Sequence, residues 1–108
     1  MKVFLKMKRN NISAQGEFDI KTNSLTVIKG SQVSKNIAHT EKFKSASTIE
    51  KHRSGNVVDG RLIRDLTFKS ASTAANFITG SSTNGLTAWK TEDGKTIREI
   101  VKSNMEEK

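Results

Sequence analysis

Apolar and polar residues alternate from the start of the chain. Val3, Leu5 and Met7 stand in one phase and Phe4, Lys6 and Lys8 in the other, the period of two that a strand with one buried face requires. Further on, Glu17-Phe18-Asp19-Ile20 and Leu25-Thr26-Val27-Ile28-Lys29 flank the polar run Lys21-Thr22-Asn23-Ser24, a four-residue turn of the kind that closes a hairpin. Residues 1–30 are therefore expected to form an antiparallel hairpin or meander, ended by Gly30-Ser31. The following run, 31–40, carries too few apolar residues to assign an element.

From Phe43 the pattern repeats. Phe43-Lys44-Ser45-Ala46-Ser47-Thr48 recurs letter for letter as Phe68-Lys69-Ser70-Ala71-Ser72-Thr73. Gly55 and Gly80 keep the same offset, as do Asp59-Gly60 and Asn84-Gly85. Similarity at a fixed period marks a repeated supersecondary unit. Each copy reads as apolar anchor, helix start, helix, stop and turn, with units at 43–67 and 68–92.

In the first unit Ser47-Thr48-Ile49-Glu50 has the form of a capping box; in the second Ser70 is the expected cap, with Ala71, Ala74, Ala75 and Ile78 at helical spacing. Gly55 and Gly80 suit the left-handed residue past a helix end. Asp59-Gly60 and Asn84-Gly85 predict two-residue hairpin turns, hence strands around Val57-Val58, Leu62-Ile63 and Leu86 to Trp89.

A third helix closes the chain over 93–103. Asp93-Gly94 makes a turn, Thr96-Ile97-Arg98-Glu99 is a second capping box, and Ile97, Ile100 and Val101 share a face. The expected fold is α+β in one domain over 1–108: meander, two helix–turn–β units, C-terminal helix. Its expected core includes Leu5, Phe18, Ile20, Val27, Ile49, Leu62, Leu66, Phe68, Ala74, Ala75, Phe77, Ile78, Trp89, Ile97 and Ile100.

Composition narrows the chemistry. An apolar share of 33% implies a small core, and 108 residues leave no room for a second, catalytic domain. Without cysteine there are no disulfides, thiolate zinc sites or cysteine nucleophiles, which fits a reducing cytoplasm. No run is apolar and long enough for a membrane span, and Lys6 interrupts Val3-Phe4-Leu5 before a signal-peptide core can form, so a soluble, unsecreted protein is expected. The net charge of +8 favours a polyanionic partner. It is unevenly placed: residues 1–64 hold thirteen Lys and Arg against five Asp and Glu, and residues 65–108 hold six of each.

The candidate chemistry concentrates in the repeats. Helix starts present unpaired N–H groups, so Lys44 with Ser45 and Ser47, and Lys69 with Ser70 and Ser72, are candidate phosphate cradles; ordinary capping beside a solvated lysine accounts for the same residues. Lys42, Lys51, Arg53, Arg61 and Arg64 extend the basic cluster, the lysines as counterion-releasing phosphate contacts and the arginines as forks for phosphates or base edges. A solvated mixed-charge surface is the plainer alternative. Trp89 with Phe68 and Phe77 offers a stacking surface for a base, but a lone Trp in so small a core is more simply the core itself. His39 and His52, with Glu50 and Asp59, are too few and too scattered to require a metal-dependent nuclease, and Glu92-Asp93 reads as the lead-in to a turn. No cofactor or metal is expected.

The ordered set Phe68-x-Ser70-x-Ser72-x-Ala74-Ala75, Gly80, Asn84-Gly85, Trp89-Lys90 and Gly94, preceded by Val27-Ile28-Lys29-Gly30-Ser31, resembles domain-of-unknown-function family 4357 over roughly residues 12–101. Ala71 stands where that family often has Pro, and Leu86 where an aromatic often follows Asn-Gly. The resemblance implies an association with GIY-YIG nucleases and restriction–modification proteins, and similarity to a DNA-recognising domain of restriction enzymes and adenine methylases. A GIY-YIG centre needs paired tyrosines, and this chain has none. The expected function is a non-enzymatic DNA-binding accessory domain that contacts double-stranded DNA through the residues named above, alongside a nuclease or methylase partner. The rival is a protein-interaction or regulatory module docking an acidic partner.

Overall fold

The computed structural model describes residues 2–9, 11–35 and 46–106. The alternation at the N-terminus becomes a long hairpin, β1 (Lys2–Arg9) and β2 (Ile12–Asp19), paired antiparallel from Lys2↔Asp19 to Arg9↔Ile12. Its buried face sets large side chains opposite small ones, Leu5 across from Gly16 and Met7 across from Ala14. The expected turn over 21–24 leads into β3 (Leu25–Val27), with Asn23 in the left-handed region at φ 61°. There the Asp19 carboxylate accepts the Lys21 N–H at 2.9 Å. A fourth strand, β6 (Leu66–Phe68), completes a sheet of order β1-β2-β3-β6. Phe68 thus anchors the second repeat by pairing with Leu25, a strand role its place before a helix did not announce.

The repeat exists in space as far as the helix ends. Helix α1 (Ala46–Arg53) and helix α2 (Ala71–Thr79) begin at the matching alanine of each copy, and Gly55 and Gly80 follow them at φ 77° and 72°. Ser70 caps α2, its Oγ accepting the Thr73 N–H at 3.1 Å. In the first copy Ser47 is the second helical residue, so it does not cap the helix as expected from Ser47 to Glu50: the helix is already under way two residues before Thr48.

Beyond the helices the copies part. Asp59 and Gly60, at φ 52° and 76°, close a two-residue hairpin between β4 (Val57–Val58) and β5 (Arg61–Leu62), as expected. Asn84-Gly85 instead opens the short helix α3 (Gly85–Ala88), which replaces the strand expected around Leu86 to Trp89. Contact with α2 is the reason. The Asn84 side chain caps α3 by accepting the Leu86 N–H, and Gly85 donates its N–H to Ser72 Oγ at 3.0 Å. The Gly85 backbone lies so close to Ala71 that a Cβ would overlap the Ala71 carbonyl group. This glycine is required for close approach, whereas Gly60 is required for its dihedral.

Helix α4 (Ile97–Glu106) opens with the expected capping box: Glu99 N–H donates to Thr96 Oγ1, and Thr96 N–H donates to the Glu99 carboxylate. The core is the space between the sheet and α2. Leu5, Phe18, Val27, Ile49, Leu62, Phe68, Ala74, Ala75, Phe77, Ile78, Trp89 and Ile97 are buried as expected, while Ile20, Leu66 and Ile100 pack at its edge. Trp89 is fully enclosed, with its indole N–H donating to the Ala71 carbonyl at 3.1 Å. Gly16 leaves room for that ring, since a Cβ there would meet Trp89 Cζ3 at 3.3 Å.

Candidate nucleic-acid interface

The basic residues singled out in the repeats meet different fates. Lys42, Lys44 and Ser45 lie outside the described residues, as does His39. Ser47, Lys51 and Lys69 are exposed. In the second copy both candidate cradle hydroxyls are engaged within the fold, Ser70 with Thr73 and Ser72 with the Gly85 N–H. Both serine oxygens at the first turn of α2 therefore accept hydrogen bonds from the fold itself.

Arg53 is built into the structure. Its guanidinium donates to the carbonyls of Ser34 at 2.8 Å and Phe77 at 2.7 Å and sits 5.7 Å from the Phe77 ring centroid. Burial pulls its pKa below the ordinary arginine value. His52 packs edge-on against Phe68, with ring centroids 5.3 Å apart. Arg61 and Arg64 remain exposed, each tethered by one bond to a backbone carbonyl, Gly30 at 3.1 Å and Gly55 at 3.4 Å. Among the described residues no group of three or more His, Asp or Glu is placed to hold a metal ion, and no helix is long and apolar enough to cross a membrane.

The structure gathers a different set of cations along β1. Three depressions run from the edge of this strand to beyond its C-terminal end, the first two sharing Lys8, Ala88 and Lys90 and the second and third meeting only at Arg9. The first is bounded by Lys6, Lys8, Lys90 and Glu92; the second shares Lys8 and Lys90 and adds Arg9; the last continues from Arg9 to Lys35, Asp59 and Arg61. Together they form a groove with six cationic side chains, Lys6, Lys8, Arg9, Lys35, Arg61 and Lys90, against two carboxylates, Glu92 and Asp59. Lys6 bridges Glu92 at 3.3 Å, the one ion pair among the described residues. All of these cations except Lys90 come from the stretch 1–64, the part of the chain that holds the net charge.

The sequence profile described as a domain of unknown function (DUF4357) matches residues 5–101. The chain belongs to this family. No curated protein and no solved structure matches it. The family match takes in both the hairpin that carries the groove and the repeats behind it, so the groove is part of the DUF4357 domain rather than an appendage. Lys90 is held in place by the fold: its backbone exchanges hydrogen bonds with Lys6, at 2.7 and 2.9 Å.

Of the groove cations, sequence reasoning named only Arg61. A usable signal existed, since the outward phase of β1 is lysine-rich and no acid precedes Glu17.

Proposed function

We propose that this protein is a non-enzymatic DNA-binding accessory domain that holds double-stranded DNA by its phosphates along the β1 groove. The supporting observation is the groove itself: within it Lys8, Arg9, Lys35 and Lys90 have no acidic partner among the described residues. Unpaired cations brought together from β1, the 32–35 segment and Lys90 suit a polyanion, and such contacts attract any sequence alike. Exposed Lys51, Arg64 and Lys69 supply further long-range attraction. The resemblance to domains accompanying GIY-YIG nucleases and restriction–modification proteins favours DNA as the polyanion, with a nuclease or methylase supplying the chemistry in the cytoplasm. Anisotropy with labelled duplexes, plain and adenine-methylated, over a salt series is the test. Affinity should fall steeply with salt, and absent or salt-insensitive binding at low ionic strength would overturn the proposal.

A further inference from the structure

Helix α3 has two sides. Thr87 and Ala88 border the cationic groove, whereas Leu86 borders a separate cleft of about 630 Å³ between α2 and α4. Leu86, Val101, Ala71 and Phe18 give the cleft its apolar wall, which Asn23, Ser70 and Ser72 interrupt. Leu86 leaves 40% of its surface to solvent, one of the few large apolar side chains in the described structure to do so. Two cations, Arg98 and Lys102, stand four residues apart on α4 at the rim, so they project from the same helix face. Neither pairs with a carboxylate among the described residues.

This volume is that of a ligand site, and its lining states what it would accept. The Ser70 and Ser72 oxygens in the wall accept hydrogen bonds within the fold, which leaves Asn23 as the polar side chain there besides the rim cations, too little to orient a nucleobase or a sugar. An apolar wall is also useless to a phosphate backbone. What remains is an apolar surface with positive charge on one rim, complementary to an apolar side chain flanked by carboxylates.

We infer that this cleft docks an acidic–apolar peptide segment of a partner protein. One apolar side chain rests on Leu86 and Val101, and neighbouring carboxylates meet Arg98 and Lys102. The site is distinct from the DNA groove and does not depend on that reading.

The test is amide NMR of the full chain titrated with two synthetic peptides sharing a Leu-Phe centre, one flanked by glutamates and the other by lysines. The glutamate peptide should shift the amides of Ala71, Leu86 and Val101, and the lysine peptide should leave them in place. The double variant Arg98→Glu/Lys102→Glu should weaken the glutamate peptide roughly tenfold and admit the lysine peptide. Leu86→Asp, an exposed position, should abolish binding while amide dispersion is retained, which serves if the double variant does not fold. Equal response to both peptides, no response at millimolar peptide, shifts centred on Lys8 and Lys90, or displacement by duplex DNA would each overturn the inference.

Discussion

Arg53 and Phe77 are joined twice, the guanidinium donating to the Phe77 carbonyl from Nη2 at 2.7 Å and from Nε at 3.2 Å. The pair ties the end of the first repeat's helix to the end of the second. Arginine here neutralises last-turn carbonyls of α2 that have no partner within the helix, and its charge complements the negative end of the helix dipole.

Arg53→Ala should therefore cost about 2–3 kcal/mol, the range for losing charged hydrogen bonds and leaving acceptors unpaired. Arg53→Lys should recover only part, because an ammonium cannot fork between Ser34 and Phe77. Urea unfolding checks both. Duplex affinity of the folded Arg53→Lys protein should match the parent, since this guanidinium is committed inside the fold.

Gly60 and Gly85 occupy equivalent places in the repeat and should fail differently. Gly60→Ala has open space around it but must hold φ 76°, a cost of about 1–2 kcal/mol. Gly85→Ala would drive its methyl group into the Ala71 backbone, an overlap that only displacement of α3 can relieve, at about 3 kcal/mol or more. Thermal unfolding of the two variants should rank them in that order.

Along the groove, Lys8→Glu and Lys90→Glu should each weaken binding on all duplex sequences alike and make the salt dependence shallower by about one contact or more. Lys69→Glu, outside the groove, should do less. A loss confined to one base sequence would instead point to base readout.

The Asp93 carboxyl is held below the ordinary aspartate range chiefly by the hydrogen bond from Thr91 Oγ1 and by its own backbone N–H. A depressed folded-state pKa stabilises the turn above the unfolded-state value, and that contribution disappears as pH falls through the folded value. Carboxyl-carbon NMR titration should place its midpoint under that of a free aspartate. Thr91→Ala should move it upward.

How much of this was legible depends on the range of the determining contact. The recurring hexapeptide announces two helix starts because caps and first turns are set by a few adjacent residues, as Ser70 and Thr73 illustrate. Asp59-Gly60 and Asn84-Gly85 look alike in sequence and fold apart, because Gly85 is decided by Ala71, well before it in the chain. The groove was hidden for the same reason: lysines on the outward phase of a strand read as solvated until Lys90 is brought beside Lys6. Core residues needed no such knowledge, since periodicity alone separated Leu5 and Phe18 from their less buried neighbours.

The Lys6–Lys90 bridge also bears on how the chain assembles. The outer edge of β1 is a row of backbone groups open to pairing with any passing strand, and Lys90 occupies it from near the other end of the chain. That contact is long-range and covers the edge at Lys6 alone. Lys2, Lys6 and Lys8 stand along the same strand, and charged side chains on an edge strand disfavour its pairing with another chain, so two of the groove cations also blunt an edge of the sheet.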